Sequence, residues 1–130
     1  VGDQLYASRG AGLTSSPVPP GMKLGTGSTA VAKTGAGAAL VTYLSGSNKT
    51  FDATFPSATG GVATYKRTYA AGEATTASAI TEAVIVNDTI ATDATSAAAA
   101  TISRVLLTGI GSKGASDTLT ITWTHTILGA

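Results

Sequence analysis

From Thr118 to Ile127 the chain alternates without a break. Thr118, Thr120, Thr122, Thr124 and Thr126 interleave with Leu119, Ile121, Trp123, His125 and Ile127. A period of two belongs to a strand with one covered and one open face, because successive side chains leave a strand on opposite sides. The pattern directs Leu119, Ile121 and Trp123 to a core and the threonines to solvent or to a partner. It also constrains the rest of the chain, since a half-buried strand needs a sheet around it and a second layer beneath it.

The remaining sequence supplies short strands and turns. Met22 to Leu24 forms a strand that stops at Gly25 and Gly27, and residues 28–39 are too small and glycine-interrupted for a stable helix. Leu40 to Leu44 reads as a strand or a short helix. Lys49 to Phe55 places Phe51, Ala53 and Phe55 on one face, and Pro56 ends it. Gly60-Gly61 marks a turn, Val62 to Tyr69 a strand, Gly72 its end. Ala79 to Val86 is a strand closed by Asn87-Asp88. Residues 91–99 read as loop, with a helical turn tolerated at Ala97 to Ala100. Thr101 to Thr108 is a strand, and Gly109, Gly111 and Gly114 turn the chain into the last strand, Asp117 to Ile127. These elements predict an all-β, single antiparallel β-sandwich of jelly-roll or immunoglobulin-like type, with less than about a fifth of its residues helical.

The chain has 130 residues, enough for one domain with a real core. Residues 1–21 stand apart. Ser15-Ser16-Pro17-Val18-Pro19-Pro20-Gly21 disfavours helix and reads as an extended or turning arm. The expected division is therefore an arm over 1–21 and a sandwich over 22–130. The chain opens at Val1 without a charged, then apolar, leader, so this stretch is not read as a signal peptide. Either the start has been processed off or an N-terminal piece is not represented.

Ala (24), Thr (23), Gly (16) and Ser (12) fill more than half the chain, whereas charged residues make up 12%. The net charge of +1 argues against a nucleic-acid footprint and a polybasic membrane surface. No run of 18 apolar residues predicts a spanning helix. The absence of cysteine excludes disulfides, a thiolate nucleophile and sulfur-based zinc sites.

Residues that could carry chemistry are few. His125, the single histidine, shares the apolar face of its strand and reads as a structural residue at the core edge. Glu73, Glu82, Asp52, Asp88, Asp93 and Asp117 offer carboxylates, but no spacing brings two together for acid–base work. Asp52 is expected on solvated surface, and Asn87-Asp88 and Ser116-Asp117 in turns. The Gly-x-Gly pieces at 25–27, 35–37 and 109–111 lack the remainder of a phosphate fingerprint and read as turn glycines. Lys66-Arg67 beside Tyr65 and Tyr69 is a small basic pair in which Tyr65, Arg67 and Tyr69 share one face. A threonine ladder also suits ice binding, but it lies on one strand only, with no short repeat. The sequence thus gives no catalytic, cofactor-binding or metal residue, and a non-enzymatic protein without cofactors is expected.

From Gly21 onward the chain resembles a group of structural proteins of tailed-bacteriophage virions. Four stretches carry the resemblance: Met22-Lys23-Leu24-Gly25-Thr26-Gly27, Thr64 to Glu73 (TYKRTYAAGE), Ala79-Ile80-Thr81-Glu82-Ala83, and Lys113 to Thr124 (KGASDTLTITWT). The segment leading to Ala7-Ser8-Arg9 is similar as well. The chain departs from the family pattern at Val84-Ile85-Val86-Asn87, where Gly-Ile/Leu-Phe-Asn is usual. The resemblance implies a virion component. The first reading is a capsid decoration, or cement, protein on the outer capsid surface. Its partners would be the major capsid protein and further copies of itself in a homotrimer, with no nucleic acid or membrane partner. A tail or fibre adaptor is the alternative. A carbohydrate-binding or enzymatic sandwich would need exposed aromatics or clustered carboxylates.

Overall fold

The computed structural model describes residues 21–32, 34–86 and 88–126. Residues 1–20, with most of the expected arm, and Asn87 and Ile127 lie outside the described residues. The described residues form seven strands: β1 (Gly21–Gly25), β2 (Lys49–Thr50), β3 (Ser57–Thr59), β4 (Val62–Tyr69), β5 (Glu82–Val86), β6 (Thr101–Leu106) and β7 (Leu119–Thr126). Among the described residues there is no α-helix, only short 3-10 turns at Gly35–Ala38, Asp88–Ala91 and Ala98–Ala100.

The strands form two antiparallel sheets, one ordered β2-β1-β5-β6 and the other β3-β4-β7. Met22 and Leu24 of β1 and Ala83 and Ile85 of β5 face Ala63, Tyr65 and Tyr69 of β4 and Ile121 of β7 in one core, joined by Phe51 and Ile80. The chain is all-β and sandwich-like, as the alternation requires. β1 begins at Gly21, so this strand takes in the residue the sequence assigns to the end of the arm.

β4 and β7 pair over their full length, Val62 opposite Thr126 through Tyr69 opposite Leu119. This register sends Thr120, Thr122, Thr124 and Thr126 to the open side, all exposed. Ile121 is buried, but Leu119 and Trp123 are only half-buried. The reason is position: β7 is the outermost strand of its sheet among the described residues, so its inward side chains have packing partners mainly on one flank.

Two expected strands are shorter or absent. After Lys49–Thr50 the chain turns: the Phe55 amide donates to the Asp52 carbonyl and Thr54 takes a φ of 71°. The alternation of Phe51, Ala53 and Phe55 therefore has no strand to serve; Phe51 is buried while Ala53 is exposed. Ser57–Thr59, unassigned in the sequence, becomes β3 because Gly60 and Gly61, both at positive φ, close a two-residue hairpin onto β4. The 40–44 stretch contributes a single bridge, Tyr43 to Gly25. Its amides at Val41 and Thr42 donate to a side-chain carboxylate, so they do not extend the ladder.

β5 is buried on both faces, all of Glu82–Val86. Ala83 and Ile85 face the second sheet. Val84 and Val86 face outward and are covered by Leu40, Tyr43 and Ile90 from the connections that cross that side. At one end of the sandwich the β4–β5 and β6–β7 connections run alongside each other. Thr76 and Lys113 exchange backbone hydrogen bonds of 2.9 and 3.0 Å, flanked by Gly72 to Ala115 and Ile80 to Gly111.

Tyr69 joins the layers. Its buried hydroxyl reaches the carbonyls of Ser47 (3.0 Å) and Met22 (3.2 Å), and burial raises its pKa. Tyr69→Phe keeps the ring but leaves these carbonyls without that donor. It should cost about 1–3 kcal/mol, the usual cost of stranding a buried polar group, read as a lower denaturant midpoint with an unchanged slope.

Candidate functional site: buried charges and open faces

The polar residues fall into separate clusters, and most of them act on the fold. The deepest is built on Glu82. Its carboxylate lies on the outer face of the four-stranded sheet, where the connection of residues 26–44 passes over β5. Three backbone amides donate to it: Gly27 (2.8 Å) and Thr42 (2.9 Å) to Oε2, Val41 (3.0 Å) to Oε1. Arg104, diagonally across the β5–β6 pair, donates from Nη2 (2.8 Å) and Nε (3.1 Å) to Oε1. Its Nη1 reaches the carbonyls of Thr29 and Gly37 at 2.8 and 3.3 Å. Both side chains are shut off from solvent. Burial opposes ionisation of Glu82, but the amides of Thr42, Val41 and Gly27 together with the Arg104 guanidinium outweigh it. The carboxyl stays below the usual range.

This cluster corrects the reading of two glycines. A Cβ on Gly27 would stand 2.5 Å from Glu82 Oε2, and one on Gly25 would stand 2.5 Å from the Thr42 carbonyl. Glycine is required at 25 and 27 by close approach of the chain to the carboxylate, not by a turn conformation. Gly109 and Gly111, at φ of 75° and 72°, are turn glycines as expected.

A second cluster ties the same connections down. Lys23 is fully buried and donates to the Ala94 carbonyl (2.6 Å) and Ser96 Oγ (2.9 Å), with its ammonium 5.6 Å from the Tyr43 ring. Burial lowers its pKa, with Asp93 opposing the shift. Asp93 accepts from the Gly46 amide, the Tyr43 hydroxyl and Ser45 Oγ, which together hold its carboxyl below the usual range.

The TYKRTYAAGE stretch forms a third. Glu73 accepts from the Ala70 amide and takes Arg67 Nη2 on both oxygens at 2.9 and 3.1 Å, with Lys49 at 3.6 Å. Asp52, expected on solvated surface, is half-buried and accepts from the Thr68 amide (3.0 Å) and hydroxyl (2.7 Å). It fixes the 52–55 turn against β4. Lys113, also buried, donates to the Ala70 carbonyl at 2.9 Å. Asp117 accepts from the Gly114 amide at 2.7 Å, the turn role expected of it.

His125 stands edge-on to Tyr65 (5.2 Å) and Trp123 (5.7 Å), and burial lowers its pKa. The Lys66-Arg67 pair does not form a stacking platform: Tyr65 and Tyr69 are buried and Arg67 is committed to Glu73. Among the described residues no group of three or more His, Cys, Asp or Glu is placed to hold a metal ion. None of the described helical segments is long and apolar enough to cross a membrane.

The open side of the three-stranded sheet is broader than the sequence suggests. Thr64 lies opposite Thr124 and Thr68 opposite Thr120, and Ser57 extends the first row onto β3. Lys66, opposite Thr122, is the one charged residue on the open faces of β4 and β7. Comparison with protein-family models, with curated proteins and with solved structures found no match.

Glu82→Gln removes the charge but keeps the shape, leaving Arg104 as a buried cation without its counter-ion. The expected cost is about 3–5 kcal/mol at pH 7 by denaturant unfolding. The folded Glu82 pKa is depressed. Its contribution is therefore present above the unfolded value of about 4.3 and is lost as pH falls through the folded value. The gap between wild type and variant should narrow as the pH is taken from 5 toward 3.

Proposed function

We propose that this chain is a non-enzymatic virion component, a capsid decoration protein that binds the outer surface of a phage capsid and staples neighbouring capsomers. The sequence stretches that resemble phage virion proteins motivate the reading. The observation that supports it best is how the charge is distributed. Lys23, Glu82, Arg104 and Lys113 are buried, Glu73 is shared between Arg67 and Lys49, and Asp52 and Asp93 are committed to nearby backbone and hydroxyl groups. In a chain with so few charges, this leaves broad faces of threonine, serine and alanine. Interfaces are depleted in charge at their centre, so such faces suit a protein that is covered by neighbours in an assembly.

The mechanism is multivalent. Each copy contributes a modest contact, and the lattice of copies multiplies it. Residues 10–21, uncharged and rich in proline, would order on a neighbour at a low entropic cost. A homotrimer at a threefold position is the natural oligomer for such a role. A tail or fibre adaptor is the second reading, since the resemblance extends to proteins at both places.

Copy number separates the two. On a stained gel of purified virions, a decoration protein gives a band comparable to the major capsid protein, and a tail part gives a far fainter one, which would overturn the proposal. Full-length protein added to particles stripped of it should rebind, and a chain lacking residues 1–20 should rebind at clearly lower occupancy.

A further inference from the structure

A groove of about 670 Å³ runs beside β6, the last strand of the four-stranded sheet. It is lined by Val31, Ala32, Ala38 and Ala98 together with β6 residues 101–104. Its size falls in the range of specific binding clefts, about 300–1,000 Å³. The lining is small and uncharged apart from Arg104, whose guanidinium is already taken by Glu82 and two carbonyls. Val31 is half exposed, at 51%, an apolar side chain left open at the groove.

We infer that this groove receives residues 10–20 of a neighbouring copy of the chain. Two properties of that segment fit. Gly10 to Pro20 carries no charge, matching a lining without a free one, and Leu13 and Val18 are its large aliphatic side chains. Strand order also favours a neighbour over the chain's own segment. Gly21 lies in one row with Val86 and Thr101, and Lys23 in one row with Val84 and Arg104. The groove therefore starts level with the residue where β1 begins and runs along β6, two strands away, to the row of Lys23. To enter its own groove, the chain would have to reverse direction just before Gly21 and cross two strand spacings, roughly 10 Å. An extended path through Pro17, Pro19 and Pro20, at about 3.1 Å per residue, would instead carry the segment off the end of β1. On such a path the segment would leave its own sheet and reach another copy. Such a contact is head-to-tail, the kind that closes into a ring when the rotation allows, so it supplies a route to a homotrimer.

The inference rests on the arm reading of residues 1–21 but needs no capsid, so it is tested on purified full-length protein without particles. The chain has no cysteine, so engineered pairs have no background. One population carries Ser16→Cys and a size tag, the other Ala98→Cys, an exposed position. Under mild oxidation their mixture should give at least about tenfold more mixed disulfide than Ser16→Cys with Thr122→Cys, on the opposite sheet's open face. A chain carrying both Ser16→Cys and Ala98→Cys should give linked oligomers. Equal crosslinking to positions 98 and 122 would overturn the docking. A doubly substituted chain that closes on itself as a crosslinked monomer would overturn the neighbour as occupant. Either result leaves the capsid reading to its own copy-number test.

Discussion

The Glu82–Arg104 pair is the interaction on which the rest of the fold depends. A carboxylate and a guanidinium removed from water are costly unless every lone pair and proton finds a partner. Here the partners are five backbone groups: the amides of Gly27, Val41 and Thr42 and the carbonyls of Thr29 and Gly37. Satisfying the pair therefore ties down Gly27, Thr29, Gly37, Val41 and Thr42, in a connection too rich in glycine and small residues for a stable helix. Once that connection lies over β5, Leu40 covers Val84, and the outer face of the sheet is buried.

The other buried cations repeat this logic at smaller scale. Lys23 holds the 94–96 segment and Lys113 holds Ala70, each through carbonyl acceptors on a connection. Long irregular segments in a chain rich in alanine, glycine and threonine cannot gain much by apolar burial. They are held by side-chain-to-backbone hydrogen bonds in dry surroundings, where such bonds are strong. Charge is scarce in the sequence, and much of it is spent on internal cross-links.

The residues that carry the resemblance to phage virion proteins include many of these cross-links: Lys23, Arg67, Tyr69, Glu73, Glu82, Lys113 and Asp117. Their placement gives each a role in holding the sandwich.

The sequence by itself determined the strands whose pairing partner supplies a matching alternation. Val62 to Tyr69 and the threonine strand after Asp117 are legible because a period of two survives wherever one face is covered and the other open. The hairpin at Gly60-Gly61 and the turns at Gly109 and Gly111 are legible because positive φ selects glycine. Tertiary structure decided the rest. It ended the Lys49 strand at Thr50, since Asp52 found Thr68 of the other sheet, and it limited Leu40 to Leu44 to a single bridge, since Glu82 took the amides of Val41 and Thr42. Nor could spacing reveal that Glu82 and Arg104 would meet, or that Lys23 would be buried: a charged residue in a strand reads as surface until distant segments close over it. Local periodicity reports the side of a strand on which a residue stands. Only the packed chain decides whether that side is covered, and by what.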